Sequence, residues 1–180
     1  MNFEDFSPFL MIPLFLLLIL ETIFSLAWVK FYYRNGIPLV KRSYRIPLMF
    51  DLTPHVNTLE NALKRGVFRP AITIKPFGSN EFAFRNRFTS RNQVNGIIRV
   101  ESSNGRITIT GHIYWAFLIM LVFGIYVSFA IGNGLPFFGF LFIGGLGLFF
   151  QWLMTNSIIN IMYDTMQKEG LLLDDPFTHD

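Results

Sequence analysis

Three apolar runs, at 8–29, 113–131 and 135–154, flank a central segment whose apolar positions recur at shorter spacings. Each run approaches the ~20 residues that a helix needs to cross a hydrocarbon core of about 30 Å. The second and third are separated by Gly132, Asn133 and Gly134, with Pro136 following. Gly and Asn tolerate the positive φ of a tight reversal, and Pro suits a first helical turn. The pattern predicts a membrane α+β protein. It would have three transmembrane helices, one N-terminal anchor plus a C-terminal helical hairpin, with a small antiparallel β-rich domain between spans one and two.

Inside the central segment the period changes. Val56, Leu59 and Leu63 share one face of a helix, with Thr53 as N-cap, Pro54 at the first position, Lys64 and Arg65 in the last turn and Gly66 as the stop. The run 39–50 predicts a strand, and Pro38 and Pro47 restrict it to an edge. A short β-branched strand is expected at 71–75. At 81–88, Phe82, Phe84 and Phe88 alternate with Glu81, Ala83, Arg85 and Arg87, the period of a half-buried strand. Asn104-Gly105 predicts a two-residue type I′ hairpin in 97–110, pairing Ser103 with Arg106, Val100 with Ile109 and Arg99 with Thr110. Ile98, Val100, Ile107 and Ile109 then share a face. The total is four or five strands and one helix. Beyond the third run, Ile158, Ile159, Met162 and Met166 form a helical stripe that Gly170 would end; its default use is packing on the central domain.

Charge gives the arrangement a direction. Residues 30–111 hold 14 of the 15 Lys and Arg and only Asp51, Glu60, Glu81 and Glu101 as acids, a net +10; the rest of the chain carries −7. Basic segments beside a span stay in the cytoplasm. Glu4 and Asp5 precede the first run while Lys30 and Arg34 follow it, the reverse of a cleaved signal peptide. The expectation is a multi-pass cell-membrane protein with its N-terminus outside and its central domain and C-terminus cytoplasmic. Its divisions are 1–29 (anchor), 30–111 (basic domain), 112–155 (helical hairpin) and 156–180 (cytoplasmic helix and acidic tail). The composition agrees: 52% of residues are hydrophobic and 15% charged, with a mean hydropathy of +0.42. Cysteine is absent, which excludes disulfides, thiolate metal sites and cysteine nucleophiles.

Candidate chemistry is sparse. Glu21 falls inside the first run, about 12 Å from its cytoplasmic end at 1.5 Å per residue. An acid at that depth costs roughly 2.5–3.5 kcal/mol and should face protein or water. Gln151 lies near the same depth, so an intramembrane Glu21–Gln151 hydrogen bond is expected, as a clasp between helices rather than a proton relay. Lys30, Arg34, Lys41, Arg42 and Arg45 form a candidate contact for anionic headgroups or a partner. Trp28, Trp115 and Trp152 would be interface anchors. Glycines in the third run suit close helix packing, within the unit or against a partner or second copy. Arg85, Arg87 and Arg91 beside Phe82, Phe84 and Phe88 could suggest single-stranded nucleic acid, but Arg85 and Arg87 fall on the opposite face from the phenylalanines, which argues against it. The three histidines lack metal-ligand spacing, Asp174, Asp175 and Asp180 form a solvated acidic tail, and no catalytic, metal or cofactor motif is present.

These features favour a non-enzymatic membrane scaffold or accessory subunit. Its basic domain would contact a partner protein, anionic lipid headgroups, or both. The alternative is a small transport or channel component using Glu21 and the Gly-rich hairpin.

Overall fold

A computed structural model describes residues 3–64, 71–86, 94–131 and 135–173 of the chain. Within them, β1 (Pro38–Arg45), β2 (Ile72–Pro76), β3 (Glu81–Asn86), β4 (Asn95–Glu101) and β5 (Arg106–His112) form one antiparallel sheet in the order β1-β5-β4-β3-β2. The helices are α1 (Phe3–Leu26), α2 (Lys30–Arg34), α3 (Val56–Ala62), α4 (Trp115–Ile131) and α5 (Leu135–Lys168). The strand with flanking prolines is an edge strand, as its lost N–H groups require.

Side chains alternate across the sheet. One face carries Tyr44, Ile74, Phe82, Phe84, Ile98, Val100, Ile107 and Ile109, all buried. Leu59 and Leu63 of the α3 segment and the second half of α5 cover it. Ile158, Ile159, Met162 and Met166 are each no more than 1% exposed, so the predicted stripe completes this core. Burial of a side chain of that size contributes about 1.5–3 kcal/mol. The helix stops where Gly170 takes φ +67°. Gly111 lets α5 approach: a Cβ there would collide with the Thr155 methyl.

Two local expectations need correction. The β4–β5 loop has four residues, not two. Ser102–Asn104 make a 3₁₀ turn, Gly105 takes φ +57°, and Glu101 pairs with Arg106, Val100 with Ile107 and Ile98 with Ile109. Segment 46–50 sets this register: Ser102 donates to the Phe50 carbonyl at 2.9 Å, and the Ile46 N–H donates to the Gly105 carbonyl at 2.9 Å. A slip of two preserves the buried face, where a slip of one would have inverted it. Thr53 is also not the cap. Asp51 Oδ1 accepts its N–H at 2.9 Å and opens a 3₁₀ turn that leads into α3. Arg65, Gly66, Arg87, Phe88 and Arg91, the Gly132–Asn133–Gly134 reversal, and the tail from Asp174 through His179 to Asp180 lie outside the described residues.

The three-span expectation is overturned. Among the described residues one helix, Phe137–Lys168 within α5, is long and apolar enough to cross a membrane, by length and composition. Helix α4 has 17 residues, about 25 Å at 1.5 Å per residue and short of a 30 Å core. The describable apolar stretch of α1 is Phe15–Leu26, and its final turns belong to the folded domain. Glu21 and Ser25 are buried there, and Phe24, Trp28 and Val29 pack on a second core with Tyr32, Tyr33, Phe77 and Ala83. A hydropathy pattern counts those residues as lipid-facing because a buried aromatic and an immersed one look alike in sequence. Helices α4 and α5 do lie side by side and antiparallel: Phe123 meets Phe140 edge-on at 5.9 Å, while Gly124 abuts Phe140 and Leu121 reaches Gly144.

The Gly111 contact is testable. Gly111→Ala should destabilise the fold, and adding Thr155→Ser, which removes the obstructing methyl, should restore part of the loss. A coupling energy of about 0.5–3 kcal/mol is expected from a double-mutant cycle of chemical denaturation in detergent; additivity of the two changes would rule out the contact.

Candidate functional site: a buried polar junction

Where the sheet meets the apolar helices, polar side chains gather that the core does not otherwise tolerate. The first element is the α1–α2 turn. Trp28 takes φ +55° there, a conformation that costs a non-glycine residue energy unless its surroundings hold it. Its ring stacks on Tyr33 at 5.5 Å, meets Phe77 at 6.3 Å, and lies under Arg85 at 4.7 Å and Lys75 at 5.9 Å. That turn lays α2 across the second face of the sheet, and Tyr32 and Tyr33 become buried.

Tyr32 links two elements. Asn95 Nδ2, on β4, donates to its hydroxyl at 2.7 Å, and the hydroxyl donates to Glu21 Oε1 at 3.0 Å. The same carboxylate oxygen accepts the backbone N–H of Trp115 at 2.6 Å. Trp115 is the first residue of α4, so Glu21 supplies a negative charge to the positive end of that helix and satisfies one of its orphan donors. Gln151 of α5 grips the same link: its Nε2 donates to the His112 carbonyl at 2.9 Å, and its Oε1 accepts the Tyr114 N–H at 3.4 Å. Glu21 and Gln151 are 3% and 4% exposed. They hold adjacent peptide groups of the β5–α4 link.

Burial dominates the titration behaviour here. It pushes the phenol of Tyr33 up to about 12 and raises those of Tyr32 and Tyr114, the negative charge of Glu21 adding to the rise at Tyr32. His112, opposite Asn95 across β4 and β5, is held down to about 4 by burial and then by Arg99. Among the described residues His112 Nδ1, Asn95 Oδ1 and Thr155 Oγ1 are buried without a hydrogen-bond partner. No group of three or more His, Cys, Asp or Glu among them is arranged to hold a metal ion.

The other candidate residues are dispersed. Arg34 is engaged with Glu81, its Nε at 2.8 Å. Arg42 Nη2 donates to Asn156 Oδ1 at 2.9 Å on the α5 side of the sheet. Lys30 is exposed at the start of α2. Lys41 and Arg45 are exposed on the second face, in rows with Thr110 and Arg106; Arg99 lies on the same face. Trp28 and Trp115 pack on the second core, Trp115 at 5.4 Å from Tyr32, while Trp152 is 42% exposed and stacks on Phe149 at 6.3 Å. Sequence reasoning missed Asn95, and read Tyr32 and His112 as interfacial anchors rather than as parts of this junction. The only local hint of a role was a polar residue at the end of each strand beside the apolar run. The sequence matches no family model, no curated protein and no solved structure.

Two outcomes follow from this geometry. Glu21→Ala leaves the Trp115 N–H without its acceptor and should lower stability by about 1–3 kcal/mol, whereas Glu21→Gln keeps an acceptor and should lose clearly less; equal losses in detergent unfolding would refute the capping role. For His112, the folded pKa of about 4 lies below the ordinary 6.5. The unfolded chain therefore binds the extra proton, and stability falls as pH drops from 6.5 towards 4, by something on the order of 3 kcal/mol, then levels off. That slope should be absent in His112→Asn.

Proposed function

We propose that this protein is a non-enzymatic scaffold or accessory subunit held in the cell membrane by its apolar helices, with the basic sheet domain and the C-terminus in the cytoplasm. The observation that carries this reading is the distribution of exposed apolar side chains. Phe15, Leu16, Ile19 and Ile23 on α1, Val122 and Phe129 on α4, and Phe138, Phe142, Ile143, Leu146 and Phe149 on α5 are all 47% or more exposed. Contiguous apolar surface of this kind marks a lipid or protein contact. The apolar half of α5, with α4 antiparallel beside it, is the part held in the bilayer, and the net +10 of residues 30–111 favours the cytoplasmic side for the sheet.

The junction then has a mechanical role. Glu21 and Gln151 hold the β5–α4 link against two helices, so the sheet sits at a fixed height over the bilayer. Glu21 acts as a helix cap in this reading, which leaves a conducting role without support. Lys30, exposed at the start of α2, would contact headgroups. Lys41, Arg45, Arg99 and Arg106 form an exposed basic face for an acidic protein partner.

Because the chain lacks cysteine, single reporters are clean. The protein should stay in the membrane pellet through alkaline carbonate extraction. In intact cells Ser102→Cys should resist an impermeant maleimide and become labelled only after permeabilisation. Release by carbonate, or labelling from outside, would overturn the proposal.

A further inference from the structure

The last rung of the sheet before the apolar helices runs across four strands. His112 on β5 faces Asn95 on β4, Asn95 faces Arg85 on β3, and Arg85 faces Thr73 on β2. Directly opposed residues share a face, so all four stand on the α2 side. His112 and Asn95 are buried and belong to the junction. Arg85 continues their row as a fixed positive charge. Lys75, two residues beyond Thr73 on β2, lies diagonally from Arg85 on the same face.

Both cations bear on one aromatic ring. The Arg85 guanidinium lies 4.7 Å and the Lys75 ammonium 5.9 Å from the Trp28 ring centroid, within the reach of a cation–π contact. The ring attracts each charge but neutralises neither, and the two cations repel one another. Among the described residues, Arg85 Nε is buried without a hydrogen-bond partner, an uncommon state for a charged donor. Glu81, on the same face of β3, is engaged with Arg34 and Arg99. Glu21 is engaged with Tyr32 and the Trp115 N–H. Lys75 is exposed and Arg85 half-buried, so the pair is open to an anion from outside the chain.

Height selects that anion. Trp28 follows α1 by two residues, and His112 precedes α4 by three. Three residues of extended chain cover about 10 Å. The Arg85 row therefore lies within roughly one Debye length, about 8–10 Å at physiological salt, of the level where the apolar helices begin. That is the zone of lipid phosphates, and one that indole rings favour. Arg106 lies six residues before His112 on β5, about 20 Å farther away.

We propose that Arg85 and Lys75, seated on Trp28, form a binding site for the phosphate of an anionic phospholipid. The planar guanidinium offers paired N–H donors to two phosphate oxygens. The ammonium adds a second charge at the open side. The Trp28 turn, at φ +55°, places the ring under both cations. The site rests on the membrane placement proposed above and adds a particular lipid contact to it. A soluble phosphate ester carries the same headgroup chemistry but lacks the acyl chains that the apolar helices would hold beside the site.

The full chain in a non-ionic detergent, titrated with dioleoyl phosphatidylglycerol or dioleoyl phosphatidylcholine, is read by native mass spectrometry. It should retain phosphatidylglycerol at least about fivefold better, the effect of one charge near a lipid surface. Arg85→Gln/Lys75→Gln should lower that retention to the phosphatidylcholine level. Lys41→Gln/Arg106→Gln, which removes the same charge from the same face, should keep it. Arg85→Lys, which preserves charge without the planar fork, should keep part of it. The proposal is overturned if the unaltered protein shows no preference, if the preference survives Arg85→Gln/Lys75→Gln, or if both double variants lose it equally. Displacement of the lipid by excess inorganic phosphate would assign the site to a soluble anion and overturn it as well. The first and last of these outcomes need no variant to fold. A protein that resists carbonate extraction yet shows no lipid preference would lose this site alone; release by carbonate would remove the membrane placement and the site together.

Discussion

The continuity of α5 is the constraint on which the rest of the molecule depends. A single helix of 34 residues presents Phe138, Phe142 and Phe149 outward in its first half and buries Ile158, Ile159, Met162 and Met166 under the sheet in its second. Neither half is independent of the other. The sheet has no complete core without the second half, and the first half inherits its direction from that packing. The glycine at 111 and the small polar residue at 155 are what bring the two surfaces together at the crossing point.

The polar junction follows from the same geometry. A sheet that ends against apolar helices must bury peptide groups at the point of transfer, since neither water nor a regular ladder is present to satisfy them. Glu21 and Gln151 meet that need from two helices. Tyr32 and Asn95 extend the network from Glu21 to β4. A buried carboxylate is costly unless it is hydrogen-bonded, which accounts for the strained Trp28 turn: without φ +55° at that residue, α2 would not carry Tyr32 to the carboxylate.

Part of this was legible in the sequence. The alternation of Ile98, Val100, Ile107 and Ile109 identified the buried face even though the loop length was misjudged by two residues, because parity survives such a slip. The stripe from Ile158 to Met166 was legible because one helical face has one period. The spans were not. Residues 21–29 continue the apolar run with Glu21, Thr22 and Ser25 as its polar breaks, and their tertiary partners, Phe77, Ala83 and Arg85, reveal that they belong to a folded core. The role of Glu21 was hidden for a related reason: one of its partners is a backbone N–H, which leaves no trace in side-chain identity. The basic residues near position 40 looked like one patch, but pleating sends Arg42 to one face and Lys41 and Arg45 to the other.

In the proposed membrane setting, a rigid body shared between two environments would also transmit motion. Helix α5 is about 51 Å long at 1.5 Å per residue, so a tilt of about 10° carries its far end sideways by about 9 Å. Apolar helices tilt when the hydrocarbon around them thins. The sheet is fixed to α5 by packing and to α1 and α4 by the Glu21 and Gln151 contacts, so it would swing as one piece with the helix. Bilayer thickness would then be converted into the position of a basic surface.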